Sequence, residues 1–424
     1  MLDIKFIRDN KEIIERGAKK KRLAVDIDGL LRLDDRRREL MTSSEKKRAE
    51  QNSFNDKIAK AGTAGEREAF IVTMKALKES LQKEEEELKA VMKDWQTLML
   101  QVPNVPDMSV PEGATEADNA EIKTWGDKPA FAFEPKDHIE LMTALHMADF
   151  ERGVKTHGFR GYFLKGDGAE LSWALWQYGR EFFGKRNFTA FIAPSVVKKE
   201  FFYATGHLPK EAEDLYYTQD GGYLSGTAEV AMMAYHGDEI LRAEELPKRY
   251  LAFSPCFRRE AGSYGKDTKG LIRVHEFFKL EQLVLSVADH AESVKLHEEI
   301  NRNFEEFLES LRLPYRRLLI CGGELSLSKV KQYDTEVWMP SQKAYRELSS
   351  ASYYHDFQTR RFNIRYNAGG KKFYAHSLNC TAAATPRILA AIVENNQQAD
   401  GSVAIPEELQ KYFGKAVIAK NSQS

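Results

Sequence analysis

The sequence predicts an α+β protein: an antiparallel helical hairpin at the N-terminus, then an antiparallel β-sheet domain flanked by helices. Three observations predict it. All thirteen prolines stand at or after Pro103. Before that point, apolar residues recur at alternating steps of four and three. After it, strand-like and helix-like runs mix without a βαβ rhythm, and no GxGxxG or Walker glycine loop is present.

The hairpin rests on the first two. An interior proline costs a helix about 3 kcal/mol, so a long proline-free segment suits long helices. Glycine is also sparse there, at Gly17, Gly29, Gly62 and Gly65. Phe70, Met74, Leu77, Leu81, Glu84, Leu88, Val91, Trp95, Leu98 and Val102 form a heptad row with one polar member. Leu30, Leu33, Arg37, Leu40, Ser44, Lys47, Gln51, Phe54, Ile58 and Ala61 form a second, more polar row. Residues 62–65 break the rhythm and mark the tip. Arms of about 36 residues reach roughly 54 Å. The residues before Gly29 suggest a shorter helix at the base.

The first arm carries Arg36, Arg37, Arg38, Lys46 and Lys47, whereas the second carries Glu84 to Glu87. A basic side on a rod suits a phosphate backbone; a solvated coiled-coil surface is the alternative. Net charge is −1, so no global field draws nucleic acid. The three cysteines, Cys256, Cys321 and Cys380, form no CxxC pair. That speaks against a disulfide framework or structural zinc and for a reducing compartment, here the cytoplasm. The N-terminus has neither signal nor transit character, and no apolar run reaches membrane-spanning length.

Residues 103–136 read as a linker with turns around Pro103, Pro106 and Pro111. Beyond it, residues 274–285 and 361–366 read as strands, and 287–311 and 386–398 as helices. The densest cluster of chemistry-bearing residues lies at 256–281, read as strand, glycine-rich loop, strand. Alternation places Arg258 with Glu260, and Arg273, His275, Phe277, Lys279 and Glu281 together. An arginine, carboxylates and a ring on one surface suit a nucleotide and an amino acid. A solvated hairpin with cross-strand ion pairs is the alternative. Thr385 is placed to cap a helix opened by Pro386, with Arg387 at its positive end. His138, His207 and His275 have no metal-ligand spacing.

Residues 256–281, with GLIRVHEF at 270–277, resemble motif 2 of class II aminoacyl-tRNA synthetases in its seryl form. The resemblance extends over nearly the whole chain. Thr227-Ala228-Glu229 resembles the TAE loop, 345–350 and 356–361 the following block, 379–387 and 394–401 motif 3, and 101–106 the junction after the helical arm. It implies a catalytic domain over 107–424 behind a tRNA-binding arm over 1–106. The implied reaction activates serine with ATP and Mg²⁺, then loads tRNA(Ser), and tRNA(Sec) where that exists. It also implies a homodimer.

By resemblance, Arg258 holds the α-phosphate and later the adenylate. Phe277 stacks on adenine and Glu260 reads its amino group. Glu229 and Glu281 face the serine ammonium with Thr227, while Asn379 and Thr381 line the pocket for its hydroxyl. Glu347 and Ser350 hold Mg²⁺, and Arg387 takes the γ-phosphate. Arg258, Arg387 and Glu281 are thus the expected catalytic set. Lys266 and Lys269 face the tRNA acceptor end, and Arg36, Arg37, Arg38, Lys46 and Lys47 its extended variable arm. The chain departs from the family pattern where SNCTDFQ reads Ser352-Tyr353-Tyr354-His355-Asp356-Phe357-Gln358, and at Gly226, Cys380 and Pro386. A specialised seryl enzyme and a catalytically inactive RNA-binding paralogue are the competing readings.

Overall fold

The proline-free segment is helical in the computed structural model, which describes residues 1–261 and 267–420. It contains α1 (Ile4–Asp9), α2 (Lys11–Lys20), α3 (Ile27–Lys60) and α4 (Ala64–Gln101). The base therefore holds two short helices, not one. Asp3 starts the first by accepting from the Lys5 amide at 2.8 Å, and Asn10 closes it. Asp26 starts α3 by accepting from the Gly29 amide at 2.7 Å. A capping box of Thr63 and Glu66 starts α4, so the turn spans 61–63 and Gly65 already lies in the helix.

Every residue of the two predicted rows is buried or half-buried, while most of their neighbours are exposed. Leu40 and Leu81 are buried in this seam, each burial contributing about 1.5–3 kcal/mol. Phe54 and Phe70 meet near the tip with ring centroids 6.1 Å apart. Polar seam positions find partners: the Lys47 ammonium donates to Ser80 Oγ at 2.5 Å and Glu84 Oε1 at 2.9 Å. The difference in charge between the arms thus serves their pairing. Arg36 meets Glu87 and Arg48 meets Glu85, each at 2.6 Å. Asp34, fully shielded, is held by Arg8, Arg37 and Arg38 at 2.8 to 3.1 Å.

Two units emerge: Met1–Lys19 with Leu23–Pro103, and Lys20–Arg22 with Asn104–Ser424. In the second, eight strands form one sheet: β1 (Ala120–Trp125), β2 (Thr189–Ile192), β3 (Lys248–Phe257), β4 (Glu276–Ser286), β5 (Tyr315–Leu319), β6 (Lys331–Met339), β7 (Ala344–His355) and β8 (His376–Thr385). Their spatial order is β1-β5-β6-β7-β8-β4-β3-β2. All neighbours are antiparallel except β2 and β3. Helices α5 (Asp167–Gly184) and α7 (His290–Ser310) pack on the sheet through Phe183, Phe304 and Phe307. Shorter helices α6 (Glu229–Tyr235), α8 (Phe357–Phe362) and α9 (Arg387–Asn395) stand beside β7 and β8 or their neighbours.

Three local expectations need correction. Residues 361–366 are not a strand: α8 runs to Phe362, Asn363 closes it at φ 54°, and a strand begins at Arg365. Phe362, Ile364 and Tyr366 are all buried, which imitates strand alternation across that turn. Thr385 does not cap α9; it ends β8 paired with Phe278, and Pro386 takes the N-cap position without a side-chain bond. The helices expected over 287–311 and 386–398 shorten to α7 and α9.

Candidate active site

Strands β3, β4, β7 and β8 carry two adjoining cavities. The first, about 360 Å³, is walled by Thr227, Glu229, Arg258, Glu281, Ser350, Asn379 and Thr381. The second, about 70 Å³, is walled by Glu260, Phe277, Leu348 and Arg387. Arg258, Lys279, Glu347 and Thr381 line both. Thr227 and Thr381, 154 positions apart in the chain, therefore line one cavity, and β4 and β8 are central, adjacent strands in register at Glu281 and Thr381.

Alternation places Phe277, Lys279 and Glu281 on the cavity face of β4. It does not extend to Glu260, Arg273 or His275. β3 ends at Phe257, and Glu260 sits in the loop beyond it at φ 55°, a left-handed conformation. Arg273 and His275 precede β4. Even so, Arg273 pairs with Glu260 at 2.8 Å, and His275 Nδ1 lies 3.0 Å from the Arg258 carbonyl. These bonds hold the backbone on either side of Arg258, whose guanidinium stands 5.3 Å over the Phe277 ring.

The floor of the first cavity is anionic and buried. Glu229 opens α6 and accepts from Gln358 Nε2 at 2.6 Å; Ser377 Oγ in turn donates to Gln358 Oε1 at 2.8 Å. Glu281 meets the Lys279 ammonium at 2.6 Å. That ammonium also donates to Thr227 Oγ1 at 2.8 Å. Burial raises the Glu281 pKa above its ordinary value, Lys279 opposes this, and Glu229 adds to it. Two carboxyl groups and one internal ammonium thus line this part of the cavity, and the carboxyl oxygens can receive a cationic ligand group. A buried carboxylate so placed holds an ammonium well.

Arg387, the first residue of α9, donates from Nε to the Ile272 carbonyl at 2.9 Å and from Nη1 to the Glu347 carbonyl at 2.6 Å. Near it, Glu347, 3.9 Å from Arg387, and Ser350 offer oxygen donors to the first cavity. Asp334 lies opposite Ser350 in the β6–β7 pairing. Burial, then Glu347, pushes the Asp334 pKa up to about 7. One or two carboxylates and a hydroxyl suit Mg²⁺ completed by phosphates and water. Among the described residues no group of three or more His, Cys, Asp or Glu is placed to hold a metal. His138 is instead structural: Nδ1 bonds Glu394 at 2.8 Å and Nε2 accepts the Leu271 amide at 3.0 Å.

The expected tRNA contacts divide. Lys46 and Lys269 are exposed. Arg36, Arg37 and Arg38 are engaged with Glu87 or Asp34, and Lys47 faces the seam. Lys266 lies outside the described residues. Sequence reasoning assigned no role to Lys279, Asp334 or Gln358. Lys279 was legible, two positions from Glu281 on one strand face; Asp334 and Gln358 arrive through tertiary packing and leave no local pattern.

Comparison with known proteins gives these features a family. Residues 1–106 match the seryl-tRNA synthetase N-terminal domain, and residues 216–396 the tRNA synthetase class II core domain (G, H, P, S and T). The serine–tRNA ligase of Deinococcus radiodurans is 41% identical over 416 residues, covering 98% of each chain. That of Geobacter sulfurreducens is 41% identical over 418 residues, covering 98% of this chain and 99% of its own. The crystal structure of the Pyrococcus horikoshii seryl-tRNA synthetase complexed with ATP matches with TM-score 0.91 and 35% identity over the whole of both chains. The cytoplasmic serine–tRNA ligase of Naegleria fowleri in complex with AMP matches with TM-score 0.87 and 31% identity, covering 100% of this chain and 99% of its own. The chain belongs to the seryl-tRNA synthetase family.

Proposed function

We propose that the two cavities are the serine and ATP halves of one site, and that their shared wall is where the carboxylate of serine meets the α-phosphorus. The activity is serine–tRNA ligation, with serine, ATP and tRNA as substrates. The observation that carries the assignment of halves is the shared wall itself: Arg258, Lys279, Glu347 and Thr381 belong to both cavities.

The serine ammonium lies between Glu229 and Glu281, with Thr227 beside it. Adenine rests on Phe277, and Glu260 accepts from its amino group. Arg258, above that ring, pairs with the α-phosphate. Arg387 releases its carbonyl partners to take the terminal phosphate. The carboxylate attacks the α-phosphorus in line, pyrophosphate leaves, and the mixed anhydride stays against Arg258. Preorganised cations supply most of the stabilisation in such transfers. Glu347 and Ser350 would hold Mg²⁺, with Asp334 behind them; bound there, the ion would neutralise triphosphate charge. The terminal ribose hydroxyl of tRNA then attacks the carbonyl of the anhydride, releasing AMP. No side-chain nucleophile is required.

We read residues 1–106 as the tRNA arm and 107–424 as the catalytic domain, acting in the cytoplasm, where buried free cysteines such as these persist. A homodimer is favoured by the sheet edge: Ile192 on edge strand β2 is 86% exposed and Trp173 on α5 is 63% exposed. Bare apolar edges of this kind are normally covered. Serine-dependent ATP–pyrophosphate exchange tests the assignment. Exchange with serine, abolished in R258A, is the expected result; undiminished exchange in R258A would refute it.

A further inference from the structure

Four residues, Tyr353, Tyr354, His355 and Cys380, fall close together in β7 and β8. Only one of them faces the serine half. Tyr353 points away and donates to Asp107 Oδ2 at 2.9 Å. His355 contacts His290, with Nε2 3.1 Å from its Nδ1. Cys380 is buried against Ser349 Oγ at 3.4 Å. Tyr354 lines the first cavity, is 2% exposed, and donates from Oη to Asn379 Oδ1 at 3.1 Å. The two residues stand on neighbouring strands, where Ser352 and Asn379 are in register, and burial among them holds the ring in place.

The geometry of the substrate does the rest. An α-amino acid offers three groups around its α-carbon. Its ammonium is drawn to Glu229 and Glu281, and its carboxylate must face the wall shared with the ATP half, where Arg258 stands. The side chain is turned to the rest of the first cavity, where Tyr354 and Asn379 stand beside the shared Thr381. Asn379 and Thr381 offer polar atoms to a hydroxyl. The tyrosine offers bulk, and a rigid ring excludes an additional methyl through space alone. We infer that Tyr354 is the specificity-determining wall of the amino-acid pocket, which admits serine and excludes its β-methyl homologue threonine. The inference rests on the assignment of the first cavity to serine.

The test compares ATP–pyrophosphate exchange with serine and with threonine in the wild type, Y354F, Y354L and Y354C. Y354F keeps the ring and should keep the serine-to-threonine ratio of kcat/KM within about threefold. Y354L and Y354C open the wall and should raise threonine relative to serine by roughly tenfold or more, the usual worth of one methyl in a pocket. An unchanged ratio in Y354L and Y354C would overturn the inference. So would loss of serine exchange in all three variants, because a residue that only limits size is dispensable for activating serine. Failure of the underlying assignment looks different: the wild type itself would then show no serine-dependent exchange.

Discussion

Glu281 owes its function to a balance that single substitutions can disturb. It is 2% exposed, next to Glu229, and 2.6 Å from the Lys279 ammonium, which opposes the burial-driven rise in its pKa. Replacing it with glutamine removes the charge but keeps the shape. Losing one partner of a buried charge pair costs about 2–5 kcal/mol, so E281Q should raise the serine KM at least about thirtyfold while ATP KM barely moves. Acid should do the same reversibly. The folded-state pKa of Glu281 is raised above 4.5, so it takes up its proton at a higher pH than an ordinary carboxyl. As pH falls through that value the ammonium loses its partner, and serine KM should climb before ATP KM does. Serine and ATP KM values that stay parallel as pH falls would contradict this assignment. Much at this scale was legible: Arg258, Phe277, Glu281 and Arg387 surround one pair of cavities, as motif and alternation required. Glu260 reaches the second cavity too, but from the loop after the strand and in a left-handed conformation that alternation could not convey.

At the scale of elements, the helical hairpin followed from proline exclusion and heptad rows, both of which are local signals. What periodicity could not convey was the use of charge across the seam. Arg37 and Arg38 hold Asp34, whose side chain is fully shielded, and Lys47 holds Glu84. A triple alanine substitution at Arg36, Arg37 and Arg38 would therefore mix RNA binding with stability. Separate variants resolve the two. R37A/R38A should destabilise the arm by roughly 1–3 kcal/mol through the under-paired carboxylate, measured by denaturant unfolding of the full chain. R36A/K46A should leave folding and adenylate formation within twofold and weaken tRNA charging about tenfold, as loss of phosphate contacts demands. Equal loss in exchange and charging for R36A/K46A would remove the arm from tRNA recognition. Helix α8 teaches a complementary lesson: three buried residues at even spacing, Phe362, Ile364 and Tyr366, mimic a strand although a helix end intervenes.

For the whole molecule, the sheet order could not be read from the sequence, because the β4–β8 pairing joins segments about a hundred residues apart. The sheet core also carries an acid liability. His297 is buried on Tyr333, with Nε2 2.9 Å from the Ala351 carbonyl, and burial depresses its pKa to about 4. His355 is likewise depressed to about 4 by burial and then by His376 and His290. An unfolded histidine binds its proton near pH 6.5, so the unfolded chain gains protons that the fold refuses. Stability is full above pH 6.5 and is lost as pH falls toward 4, by on the order of 2 kcal/mol per histidine at pH 5. H297N should flatten that loss in a urea titration; an unchanged acid slope would exclude His297 as its source. Covering of the exposed β2 edge by a second copy predicts that W173E/I192E sediments as a monomer, and a wild type that is itself monomeric would refute it. The joining of the two cavities is tested most directly by calorimetric titration with a non-reactive seryl-sulfamoyl adenosine, which spans both halves in one molecule. It should bind at least a hundredfold tighter than serine or AMP alone, and both E281Q and F277A should weaken it. Binding no tighter than AMP, with E281Q indifferent, would mean that the anionic pocket and the aromatic-walled cavity do not serve one substrate.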